Sequence, residues 1–299
     1  MSQEKLFKRI KNLVKICVIS VIIFWASAFV GIRHAVHEYH PFELALFRYI
    51  IASITLLIFA LIKGIRLPEM KDLAHLFITG VIGVSVYNIS LNYGEITTTA
   101  GEACFIVNTA PLLTSLMGFY FLKEKIRLNF VIGLGISFLG VSLIAFSFSD
   151  GIAFKQGSLF ILVAAVAHAL YFILQKPLLN KYTPIEATCY CLWSGTIAML
   201  PFGYSFLGKI SYGNLEYTIS VIYLGIFPAA IAYLLWAAVL KSMDASKAAS
   251  FLYTVPIIVI FIGWIWLNEL PSITSIIGGL IAITGVIFAN KGITKRRKP

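Results

Sequence analysis

Long apolar runs, separated by short polar or charged connections, recur down the whole chain. Each run is about 18 to 25 residues long, the length at which a helix rising about 1.5 Å per residue crosses a hydrocarbon core roughly 30 Å thick. The pattern predicts ten transmembrane helices, over Val14–Ala35, Leu44–Ile62, Leu73–Gly94, Ala100–Leu122, Leu128–Phe148, Gly157–Leu179, Ile185–Leu207, Leu215–Leu240, Ala245–Leu267 and Ile273–Asn290. No connection is long enough to hold a soluble domain, so the function is expected within the membrane thickness or at its faces.

Composition sharpens this reading. In 299 residues, 59% are hydrophobic and 12% charged, with a mean hydropathy of +0.90. Ordinary globular chains carry about twice that charge, so a soluble protein, a disordered chain, a disulfide scaffold and a nucleic-acid binder are all excluded. The net charge of +11 is a topology signal. With the N-terminus in the cytoplasm, only Arg33, Lys155 and Lys209 among the Lys and Arg residues fall outside, and Arg48 lies within a span. Both termini are therefore expected in the cytoplasm, in the inner membrane of a bacterium. The Ala26-Ser27-Ala28 run after a basic start imitates a signal-peptide cleavage site. Cleavage there would remove a helix that a second half of the chain repeats.

That repeat emerges when the chain is shifted by 145 residues. Pro111 falls on Pro256, Glu124 on Glu269, Ala100 on Ala245, Gly80 on Gly225, Gly133 on Gly278 and Gly140 on Gly285. A two-residue adjustment brings Pro41 onto Pro184 and Phe29 onto Phe172. The expected organisation is a basic N-terminus (1–13), a first five-helix repeat (14–148), a second (149–290) and a basic tail (291–299). Five is odd, so the second repeat enters from the opposite side. The fold class is all-α integral membrane, with ten transmembrane helices as two inverted five-helix repeats, an architecture of secondary transporters.

The run Asn92-Tyr93-Gly94 to Thr98, then Ala100, Ala103, Pro111, Leu122-Lys123-Glu124, Gly133 and Gly140, recurs in part as Ala245, Ala248, Pro256, Leu267-Asn268-Glu269, Gly278 and Gly285. This pattern resembles the drug/metabolite transporter superfamily and its ten-helix EamA-type members. The resemblance implies a central cavity lined by the first, third, fourth, sixth, eighth and ninth helices. It also implies export of a small organic metabolite such as an amino acid. Lys123 and Asn268 stand where such proteins often carry glycine.

Polarity and helical spacing nominate the site. Ser85, Asn88, Asn92 and Glu95 share one stripe of the third span, facing either a neighbouring helix or cargo. Trp25 and Phe29 on the first span, and His168, Tyr171 and Phe172 on the sixth, would give aromatic walls and one titratable group. Pro111 and Pro256 each remove a backbone donor, and the kinks bring Asn108, Thr109, Tyr253 and Thr254 forward as cavity residues. Tyr233 and Trp236 complete the substrate-binding set. The small-residue stripe of Gly133, Ser137 and Gly140, matched in the second repeat by Gly278, Ala282 and Gly285, fits close packing within one protomer or across a homodimer. Arg48 reads as a structural ion pair or a snorkelling guanidinium. Glu102, with His168 deeper inside, is the candidate for coupling transport to protons.

The sequence contains neither a G-x-x-x-x-G-K-[ST] loop nor H-E-x-x-H or G-x-S-x-G, so neither ATP-driven transport nor an enzyme is expected. No metal and no cofactor are expected. Cys17, Cys104, Cys189 and Cys191 all lie in spans, the last two on different faces of their helix. Uptake or exchange of a nucleotide-derived metabolite or nucleotide sugar is the alternative to export. The expected partners are a small-molecule substrate, the lipid bilayer and protons, with no nucleic acid.

Overall fold

The computed structural model describes residues 3–98, 100–147, 156–202, 215–267 and 273–290. Their secondary structure is all helix, in ten helices: α1 (Gln3–Ala35), α2 (Pro41–Lys63), α3 (Met70–Gly94), α4 (100–121), α5 (Leu128–Ser147), α6 (Gln156–Lys181), α7 (Pro184–Met199), α8 (Leu215–Ser242), α9 (245–267) and α10 (Ile273–Asn290). Seven stretches are long and apolar enough to cross a membrane, and Leu128–Ile144 and Ile276–Asn290 are shorter apolar helices. Apolar side chains such as Leu61, Leu128 and Ile273 stand exposed around the bundle, as lipid-facing groups must. The chain is an all-α, multi-pass membrane protein built from two inverted five-helix repeats.

Helix ends follow local chemistry. Pro41 opens α2 in its first turn, and Gly64 closes it at φ 64°, donating its N–H to the Ala60 carbonyl. Thr183 and Glu186 form a reciprocal capping box at the start of α7, and Arg66 from the α2–α3 connection reaches the same carboxylate at 3.1 Å. The chain reading differs at two ends. α1 begins near Gln3, so helix continues through the basic segment expected to precede it, and the end of the seventh span beyond Phe202 lies outside the described residues.

The glycine stripes are consumed within the protomer. α5 and α10 lie so close that a Cβ on Gly285 would sit 2.4 Å from the Ser137 nitrogen, and one on Gly140 as near the Ala282 nitrogen. Ser137 donates across the contact to the Ala282 carbonyl at 3.1 Å. Of the two readings of the stripe, packing inside one chain accounts for it.

Departures from regular helix come in repeat-related pairs. α3 is π-helical over Val81–Val86 and α8 over Gly225–Ile231. α4 breaks between Val107 and Ala110, while α9 tightens to a 3-10 turn over Phe251–Thr254. Each break precedes its proline, Pro111 or Pro256, by a few residues. Side chains take up carbonyls at the breaks: Asn108 donates to Cys104, Thr109 to Ile106 and Thr254 to Phe251.

Lys123, just past α4, adopts φ 53°, the left-handed region that favours glycine. Relief of that strain is expected to make Lys123→Gly more stable by about 1 kcal/mol, seen as a raised Tm in detergent. Gly285→Ala is expected to lose roughly 1 to 3 kcal/mol through overpacking, whereas Gly135→Ala, where an added Cβ meets nothing within 4 Å, should lose none. Equal Tm values for the two glycine variants would contradict the α5–α10 contact.

Candidate functional site

The irregular segments converge on one cavity between the two repeats. About 570 Å³ of space between atoms, open solvent included, lies within it. α1 contributes Trp25, Phe29 and Ile32, α3 contributes Tyr87, Asn88 and Leu91, and the α4 break contributes Val107, Asn108 and Pro111. His168 of α6, Pro228 and Tyr233 of α8, and Leu252 and Val255 of α9 close the circle. These are the six helices that the family resemblance implied. The structure adds a seventh, α2, through Arg48.

Trp25 organises the walls. Its indole N–H donates to the Pro228 carbonyl in the π-helical turn of α8, at 3.2 Å. Its ring meets His168 edge-on at 5.3 Å, Tyr233 edge-on at 5.8 Å and Trp236 at 5.2 Å. His168 stacks on Tyr87 with centroids 4.5 Å apart. Ring contacts, together with that hydrogen bond, hold the walls in place.

Polar groups are few and unevenly satisfied. Asn88 donates to the Tyr49 hydroxyl at 2.7 Å and to the Val84 carbonyl at 2.9 Å, which ties α3 to α2. Tyr233 donates to the Gly83 carbonyl at 3.3 Å. By contrast, Asn108 Oδ1, both ring nitrogens of His168, and Nε and Nη1 of Arg48 are buried with no hydrogen-bond partner. Groups left unpaired in a finished core are rare; these lie on cavity-lining residues, while others, such as Asn92 Oδ1 and Gln175 Oε1, are buried elsewhere in the bundle.

Of the residues nominated from sequence, Trp25, Phe29, Asn88, Asn108, His168, Tyr233 and Pro111 line the cavity. Phe172 and Trp236 stand behind Trp25 as supports, with rings 4.7 Å apart. Three nominations are corrected. Tyr171 is buried beneath Gly83 and receives the Gln175 amide at 2.7 Å, so it packs α6 on α3. Asn92 donates to the Pro41 carbonyl at 2.9 Å and fastens α3 to α2. Tyr253 points into the separate apolar cluster of Phe130, Leu134 and Ala282 under α5 and α10. Pro256 sits in the helical half of α9 after the 3-10 turn and does not line the cavity, while Val255 beside it does. Glu102 belongs to α4, but its side chain lies outside the described residues. Arg48, read as snorkelling or paired, instead ends buried at the cavity. Its place within a predicted span was the available signal.

A set of hydrogen bonds gathers at the end of the bundle where α1 begins and α10 finishes. Glu124 accepts the Ala245 and Ser246 N–H groups at 2.6 and 3.1 Å, clasping the start of α9. Lys176 of α6 reaches the Leu240 and Met243 carbonyls beyond α8, and Lys241 donates to the Tyr182 carbonyl at 3.0 Å. Glu124 thereby joins the two repeats, while the two lysine contacts tie together elements of the second.

The sequence profile of the EamA-like transporter family matches residues 13–146 and, a second time, residues 155–291. The chain belongs to the EamA-like transporter family. Among its relatives, the uncharacterized transporter YdfC of Bacillus subtilis is 38% identical over 274 residues, which cover 92% of this chain and 90% of that one. A probable terminal-alkyne amino-acid exporter of Streptantibioticus cattleyicolor is 31% identical over 277 residues, covering 93% of each. A solved crystal structure aligns with a TM-score of 0.76 at 18% identity, covering 93% of this chain and 96% of that one, a likeness of fold.

In this EamA-like transporter, an imidazole with two unpartnered nitrogens adds nothing to packing that a phenyl ring would not. His168→Phe is therefore expected to keep or raise the Tm while transport falls about tenfold or more. A variant that is destabilised yet transports at the wild-type rate would reverse this assignment.

Proposed function

We propose that the protein is a secondary carrier that exports a small organic metabolite, an amino acid or amino-acid derivative, by alternating access around the central cavity. The observation that carries the reading is the cavity itself: an aromatic box between two inverted repeats, with a few unpartnered polar groups and one guanidinium. Trp25, Phe29, Asn88, Asn108, His168 and Tyr233 contact the cargo, and Phe172 and Trp236 hold Trp25 in place. The relative described as an amino-acid exporter supports both the cargo class and the outward direction. Both termini face the cytoplasm, as the basic residues dictate. In this reading the contacts at that end close the cavity to the cytoplasm, and breaking the Glu124 contact between the repeats is the step that admits cargo.

A nucleotide-derived cargo is the weaker reading. Phosphates demand several cations, and among the described residues Arg48 is the only Lys or Arg lining the cavity. The test is counterflow in proteoliposomes, with the twenty proteinogenic amino acids and a set of nucleotide sugars as probes, with and without a proton gradient. Saturable counterflow of one or more amino acids, and none of nucleotide sugars, is expected. The opposite pattern would replace this reading with the second, and a gradient that leaves net flux unchanged would remove protons from the cycle. Reporter fusions after Lys71 and Lys181 should read cytoplasmic and those after His40 external.

A further inference from the structure

Among the described residues, Arg48 of α2 is the one side chain lining the cavity that carries a permanent charge. It is only 3% exposed, and its Nε and Nη1 are buried without a partner. No Asp or Glu among the described residues lines the cavity with it. The Tyr49 ring lies 6.0 Å from its guanidinium carbon, the outer limit of a cation–π contact, and the Tyr49 hydroxyl is already taken by Asn88. Glu95, one residue past the end of α3, is outside the lining. It is fully buried with both carboxylate oxygens unpartnered, and burial pushes its carboxyl up, toward the uncharged acid. The described wall of the cavity therefore holds a positive charge and no negative one. The arginines that serve structure look different: Arg33 donates to the Glu95 backbone carbonyl at 2.5 Å, and Arg66 to the Glu186 carboxylate at 3.1 Å.

We propose that Arg48 is the anion-binding residue of the cavity, and that the cargo it receives is a monocarboxylate with an apolar body and no free ammonium. This rests on the cavity being the cargo site, and it names the form of the cargo as an amino-blocked derivative in preference to the free amino acid. A planar guanidinium with open N–H groups takes a carboxylate through paired, charge-assisted bonds. A buried charge without a partner is costly, and one carboxylate removes that cost, so the occupied cavity is neutral when it closes. A zwitterion brings the same carboxylate but returns a positive charge. The unpartnered Asn108 Oδ1 would accept its ammonium proton without neutralising it. A dianion would leave an excess of the other sign. The rest of the wall, with Trp25, Phe29, Leu91, Leu252 and Val255, offers apolar surface that suits hydrocarbon better than a second charge.

The test takes the amino acid that, free or N-acetylated, shows the fastest counterflow in wild-type proteoliposomes, and compares four forms of it as competitors. These are the free zwitterion, the anionic N-acetyl derivative, the cationic C-terminal amide and the neutral N-acetyl amide, which controls for the acetyl group. The N-acetyl derivative is expected to compete about tenfold more tightly than the free amino acid and than its own amide, with the cation weakest. Arg48→Gln should bring the N-acetyl derivative down to the level of its amide, and should keep or raise the Tm because an unpaired buried charge is gone. Arg48→Lys should keep the wild-type order with weaker binding, since the charge remains and the fork is lost. If the N-acetyl derivative competes no better than the free amino acid in the wild type, or if folded Arg48→Gln keeps the wild-type order, the proposal falls. The wild-type comparison decides the matter even if a variant fails to fold. Absence of counterflow for every amino acid in both forms would instead remove the cargo reading on which the proposal rests.

Discussion

Water cannot reach the backbone of a helix inside a hydrocarbon core, so each N–H and carbonyl there must find its partner within the protein. That requirement governs where this chain is allowed to be irregular. At the π-helical turns of α3 and α8, side chains from neighbouring helices take carbonyls, and at the breaks in α4 and α9 the helix's own side chains do. Trp25 on the Pro228 carbonyl is the clearest case, because one indole N–H both satisfies a disrupted turn and sets the orientation of the aromatic wall. The cavity exists because four helices are distorted in register, and they are in register because the two halves repeat each other.

The architecture was legible in the sequence for a simple reason. Transmembrane helices are set by length and apolarity, both local properties, and the shift of 145 residues exposes the repeat without knowledge of any contact. The walls were partly legible, since Trp25, His168 and the prolines stand out against an apolar background. What failed was direction around the helix axis. Tyr253 and Asn92 are as polar as Tyr233 and Asn88, yet one points under α10 and the other ties off a carbonyl of α2. A 3-10 turn before Pro256 and a π turn before Asn88 rotate the residues beyond them, which a fixed helical period does not follow. Arg48 was misread for a related reason: a long side chain near a helix end can run outward to water or inward to a cavity, and packing decides which.

The distribution of polar groups separates two kinds of residue that share a composition. Asn88 and Ser85 are held by named partners and, with Asn92, whose Oδ1 stays unpartnered, they fix α3 against α2 and α7. Asn108, His168 and Arg48 retain unfilled capacity while buried, which a sequence optimised for stability alone would replace with apolar groups. The contrast marks where the protein trades stability for recognition.

The contacts at the end where α1 begins have a property that follows from their chemistry. Lys176 and Lys241 end on main-chain carbonyls, those of Leu240, Met243 and Tyr182, while Glu124 takes the N–H groups of Ala245 and Ser246 together with the Ser246 hydroxyl. Every residue type but proline offers the same N–H, and every type the same carbonyl. Ser246 apart, the grasped segments are therefore free to change their side chains, while the three grasping residues are not. Over evolutionary drift this would let those surfaces diverge between relatives while the contacts stay mechanically intact.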